Sequence, residues 1–221
     1  MRVRTFISAF LFVTASQTAG AVDLQAPPGW TEASRNKDIV IFYQENDRAH
    51  VRAFKAVGDA DATPEAVFRV VTDVESHPKF MPFTKESRIV KRINESEIIA
   101  YQVIAPPMIS ARDSDLHIHV FPGTGANSIW RSEWFSVPDF EPAHKDLVRM
   151  PIVEGSWQFE PLDGGRRTRI TYTSLTNIGG SVPGWITNMS NLSVIPNIFD
   201  AVRKRILEVL KNPPPVASIP K

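Results

Sequence analysis

Residues 97–121 read EIIAYQVIAPPMISARDSDLHIHVF, and two runs within that stretch decide the class of the fold. Residues 97–104 and 111–121 alternate, at least in part, at the period of two that half-buried strands show. Between them stand Pro106 and Pro107, which carry no N–H for a ladder. Strand-like runs continue outward at residues 38–44, 50–58, 86–93, 128–137, 148–159 and 167–177. Turn-formers separate them (Asn94-Glu95, Pro122-Gly123, Asp163-Gly164-Gly165), and short turns favour antiparallel neighbours.

Two helices frame the strands. Thr63-Pro64-Glu65 is a helix start, with a capping hydroxyl and a proline at the first helical position. Val67, Phe68, Val70 and Val71 give that helix one apolar face, and Pro78 and Pro82 are expected to stop it. Pro183-Gly184-Trp185 opens a final helix to about Leu210, with Ile186, Met189, Leu192, Ile195, Ile198, Val202 and Ile206 at spacings of three or four. Pro196 is expected to kink it. Residues 23–36 read as a short helix pinned by Trp30. The order predicts one α+β domain over residues 22–211 and a flexible Pro-rich tail at 212–221.

Residues 1–21 read as a signal peptide: Arg2 and Arg4, an apolar run at 6–13, and Ala19-Gly20-Ala21 before the cleavage site. That places the mature chain in the periplasm or outside the cell, starting at Val22. Without Arg2 and Arg4 the net charge moves from +1 to −1, which gives nucleic-acid binding no support. The chain has no cysteine, so disulfides and thiol catalysis are excluded.

Three motifs in order resemble the START domain (steroidogenic acute regulatory protein-related lipid transfer), a branch of the helix-grip or Bet v 1-like superfamily. The first is Tyr101-Gln102, Pro106-Pro107 and Ser110-Ala111-Arg112-Asp113. Leu147-Val148-Arg149 follows, with Gly155-Ser156-Trp157 and Pro161. The third is Asn177-Ile178-Gly179-Gly180 with Pro183-Gly184-Trp185 and Asn188, although the family often has aspartate where Asn177 stands. The resemblance spans about Trp30 to Leu210. It implies a curved antiparallel sheet gripping a long C-terminal helix around an apolar cavity that holds one lipid, with no cofactor.

A lipid cavity needs an apolar inner face broken by a few polar groups. On residues 111–121 the inner parity is read as Arg112, Ser114, Leu116, Ile118 and Val120, leaving Asp113, Asp115, His117 and His119 towards solvent. Ile99 and Tyr101 are assigned inward on the preceding run, then Trp130, Trp134, Met150, Ile152 and Tyr172 on later ones. From the last helix Met189, Leu192, Ile198 and Val202 complete the expected wall. Arg112 has two readings: a structural ion pair with Asp113, Glu97 or Glu154, or a polar anchor for a ligand hydroxyl, carboxylate or phosphate. Residues 138–144 match the position of a mobile loop of the family. Phe140 is the expected gate and Pro196 its hinge.

The resulting expectation is a monomeric carrier of a sterol, phospholipid or similar lipid across the envelope, with transient membrane contact through Arg203-Lys204-Arg205 or Arg166-Arg167. The rival readings are a polyketide cyclase or aromatase using the same cavity, and an interaction module with a filled core. Asp115, His117 and His119 have a strand-borne metal spacing but stand on the parity read as solvent-facing, so no metal is expected.

Overall fold

The computed structural model describes residues 24–137, 140–182 and 184–212, with side chains of the final helix described from residue 192 onward. The expected signal peptide and the tail beyond residue 212 lie outside these residues. In chain order the elements are β1 (Thr31–Arg35), β2 (Ile39–Gln44), β3 (Ala53–Ala60), α1 (Pro64–Thr72) and a 3-10 helix (Val74–Lys79). Then come β4 (Thr84–Arg92), β5 (Glu97–Ile104), β6 (Arg112–Phe121), β7 (Trp130–Ser136), β8 (Val148–Arg149) and β9 (Ile152–Leu162). A 3-10 turn (Asp163–Gly165), β10 (Arg167–Asn177) and α2 (Gly184–Lys211) complete the chain.

The strands form one curved sheet in the order β1-β2-β3-β10-β9-β7-β6-β5-β4, every neighbour antiparallel, with the short β8 parallel to β6. This is the α+β helix-grip architecture. Thr63 caps α1 by accepting from the Ala66 amide at 3.2 Å. Val67, Val70 and Val71 of α1 and Ile195, Phe199, Val202 and Ile206 of α2 pack onto Ile41, Ala56, Phe159 and Ile170. Gly58 of β3 permits that approach: a Cβ there would stand 2.8 Å from the Asp38 carbonyl and 3.1 Å from the Phe199 ring.

Three local expectations are corrected. Residues 31–35 form an edge strand rather than part of a helix. Its side chains are mostly exposed and offer no helical stripe, whereas β2 offers an unpaired edge. Trp30 still pins the segment, on Val40, Phe42 and Val57. The first helix ends at Thr72, before either proline, because Asp73 leaves helical geometry (ψ 73°) and the tighter 3-10 helix carries Pro78. The single strand expected at 148–159 is split at Met150-Pro151, and β8 and β9 pair with different neighbours. Pro151 has no N–H with which to continue the ladder.

Candidate functional site

A cavity of about 640 Å³ lies between the concave face of the sheet and the helices. Cross-strand register orders its floor, since residues paired across antiparallel strands share a face. One row joins Thr84 and Ile104 to Arg112, and the next joins Ser87 and Gln102 to Ser114, with Arg112 and Ser114 just beyond the wall. Ala100 and Leu116 follow, then Ile118 with Trp134, then Ser132 with Trp157 and Tyr172. Gly155 makes room for the Trp134 ring, because a Cβ there would meet that indole at 2.4 Å. Val71, Val74 and His77 close one side, Val194, Ile195 and Ile198 of α2 another. The mouth is bordered by Met81-Pro82-Phe83 and Pro106-Pro107-Met108-Ile109, two loops joined by the Ala105 amide donating to the Phe83 carbonyl at 2.8 Å.

Among the expected wall residues, Leu116, Ile118, Trp134, Met150, Tyr172 and Ile198 line this cavity. Ile99 and Tyr101 do not, which corrects the parity of β5. Ala100 pairs with Leu116 and Gln102 with Ser114, so even-numbered residues face inward and odd ones outward. Both parities of β5 are largely apolar, so alternation alone could not choose. Trp130 packs on Phe68 of α1 at 4.9 Å, and Val202 is core between the helices. Ile152 belongs to a satellite cluster with Ala49, Val51 and Leu175, and Leu192 is exposed. The side chain of Met189 lies outside the described residues.

The convex face corrects two further expectations. Asp113 and Asp115, read as solvent-facing, are 1% exposed. Arg149 donates to both Asp113 oxygens at 3.0 and 2.9 Å and to Asp115 Oδ2 at 2.7 Å. Tyr101 donates to Asp113 Oδ2 at 3.2 Å, and burial with that carboxylate nearby raises the phenol pKa. The Glu141 amide donates to Asp115 Oδ2 at 2.9 Å, while its carboxylate holds Arg88 at 2.5 Å. The loop that carries Phe140 is thus fastened to the convex face, away from the cavity, and Phe140 is not on the wall. Pro196 sits inside α2, which continues through it to Lys211.

Every acidic partner weighed for Arg112 is engaged elsewhere: Asp113 with Arg149, Glu97 with His117, Glu154 with Arg48. Arg112 is 2% exposed and stands just beyond the wall, on the inward face of β6. Its Nη1 donates to the Ser110 carbonyl, and its Nε has no partner. Burial lowers its pKa. The wall residues missed by sequence reading are chiefly Ser87, Gln102, His77 and the two mouth loops. Gln102 was recoverable from the β5 register, but His77 was not, because its Nε2 bond to the Val71 carbonyl (2.9 Å) depends on the 3-10 helix. Burial lowers the His77 pKa and raises that of Tyr172.

The family model described as polyketide cyclase / dehydrase and lipid transport matches residues 60–203. An uncharacterized protein of Pseudomonas aeruginosa is 22% identical over 197 residues, covering 87% of this chain and 96% of that protein. Among solved structures, a STAR-related lipid transfer protein fragment from Xanthomonas axonopodis superposes with a TM-score of 0.72 at 24% identity, covering 81% of this chain and 99% of that one. Human STARD10 superposes with a TM-score of 0.75 at 20% identity, covering 85% and 76%. These likenesses establish a START-like fold.

Proposed function

The chain belongs to the polyketide cyclase / dehydrase and lipid transport family, and from that premise we propose that it binds one hydrophobic lipid in the cavity and carries it across the envelope. The observation that carries this reading is the cavity itself. Its volume falls within the range of about 300–1,000 Å³ typical of small-molecule sites, and its described wall is mainly apolar with no carboxylate. A tail burying about 300 Å² of apolar surface there gains ~7 kcal/mol at ~25 cal/mol per Å², before the cost of association.

Membrane contact fits the mouth better than the basic segments. Arg203 donates to the Asp59 and Asp38 carbonyls, Arg205 meets Glu208, and Arg167 bridges Asp59, Asp61 and Asp163. At the mouth, Met108 is fully exposed and Phe83 is 37% exposed, each at a positive φ on a loop that also lines the cavity. A lipid leaving past these side chains would stay on apolar surface. We place this carrier in the periplasm, on the strength of the leader-like residues 1–21.

A cyclase would need an acid–base pair in the cavity. Its described wall offers His77 and Tyr172, and burial favours the neutral form of each. Purification from the native host followed by lipid extraction and mass spectrometry tests the choice. An intact lipid at one per chain is the expected result. A ring-closed product would establish the cyclase instead, and an empty protein would leave an interaction module.

A further inference from the structure

Arg112 is a buried cation with no carboxylate partner among the described residues. The end of the cavity nearest Arg112 is polar: Thr84, Ser87 and Gln102 line it, and Arg112 and Ser114 stand just beyond them on the same face of β6. The Ser114 hydroxyl, like Arg112 Nε, is buried without a hydrogen-bond partner. Arg112 pairs directly with Ile104, a wall residue, which puts their Cβ atoms about 5 Å apart on one face. Moving along β6 from Arg112 to Ile118 covers about 20 Å, and the floor becomes Leu116, Ile118 and Trp134.

We propose that this cavity selects an amphiphile with an anionic head, a carboxylate or phosphate oxyanion held by Arg112 and Ser114, whose hydrocarbon tail lies towards Trp134. The inference rests on the carrier reading and names its ligand class. A buried guanidinium demands a counter-charge, and the described residues supply none on this face, because Asp113 and Asp115 are bound to Arg149 on the other. A planar fork of donors suits an oxyanion in two-point contact, while the unpartnered Ser114 hydroxyl can donate a third bond. A neutral alcohol head would satisfy a hydrogen bond and leave the charge uncompensated.

The test uses delipidated full-length mature protein and isothermal titration with hexadecanoate, hexadecyl phosphate, hexadecan-1-ol and inorganic phosphate. Both anionic amphiphiles are expected to bind at least tenfold tighter than the alcohol, with inorganic phosphate alone binding far more weakly than either. Arg112→Gln removes the cation. Gln102→Glu leaves Arg112 in place and supplies a carboxylate from the diagonal cross-strand position, so it covers the case in which the first variant fails to fold. Each is expected to erase the preference for the anionic amphiphiles over the alcohol. Equal affinity for anionic and neutral amphiphiles overturns the inference and leaves the carrier standing, as does a preference that survives Gln102→Glu. Inorganic phosphate binding as tightly as the tailed ligands points to a free-anion site and overturns it too. If no amphiphile binds, the carrier reading itself falls.

Discussion

Arg149 shows how much one side chain can hold at the residue scale. It is 18% exposed and neutralises two carboxylates that are almost wholly buried. Arg149→Leu would strand both charges, and removing one partner from a buried pair typically costs about 3–5 kcal/mol. Urea unfolding should show a loss in that range; a loss under 1 kcal/mol would contradict the network described. His77 carries a pH signature. Burial holds its folded-state pKa below the ordinary 6.5, so the unfolded chain binds more protons once the pH drops below that value. Stability contributed by neutral His77 is therefore present above about pH 6.5 and is lost as the medium becomes more acidic. His77→Phe should lose less stability than the native protein between pH 7.5 and pH 5.5, and parallel losses in the two proteins would argue against this assignment.

Among the elements, the loop after β7 does not have the place that pattern suggested for it, whereas α2 does line the cavity. The segment containing Phe140 is tied to β4, β6 and β8 through Arg88, Asp115 and Arg149. Phe140→Ala should therefore leave the rate of lipid exchange between protein and vesicles within about twofold of native, as expected for exposed apolar truncations that cost little. A strong slowing would restore the gate. The elements themselves were largely legible: β5 and β10 lie where alternation put them, and Thr63 caps α1. What pattern could not supply was the break at Pro151, where two strands serve different neighbours, or the strand at 31–35, which exists only because β2 offers an edge.

For the whole molecule, the mouth decides traffic. Met108 stands at a loop tip with its side chain in solvent, an apolar protrusion beside an apolar chamber. Met108→Asp should slow transfer of a fluorescent lipid between vesicles by roughly tenfold, the factor corresponding to about 1.4 kcal/mol of lost insertion. The lipid content of the purified protein should change little, because Met108 borders only the mouth of the chamber. Unaltered transfer would move the membrane contact elsewhere. The absence of cysteine allows a direct companion measurement: Met108→Cys can carry an environment-sensitive label at a single thiol, with a blue shift expected on vesicles.

Residue order alone determined most of the strands, both helix starts and the family likeness, because period, caps and prolines act over a few neighbours. It could not decide which side of β5 is inward, since Ile99 and Ala100 are both acceptable to a core. It could not tell that Asp113 meets Arg149 while Arg112 meets no acid among the described residues, because that outcome depends on register between strands tens of residues apart. Facing and charge pairing belong to the assembled sheet: a strand's two sides become different only when something packs against one of them.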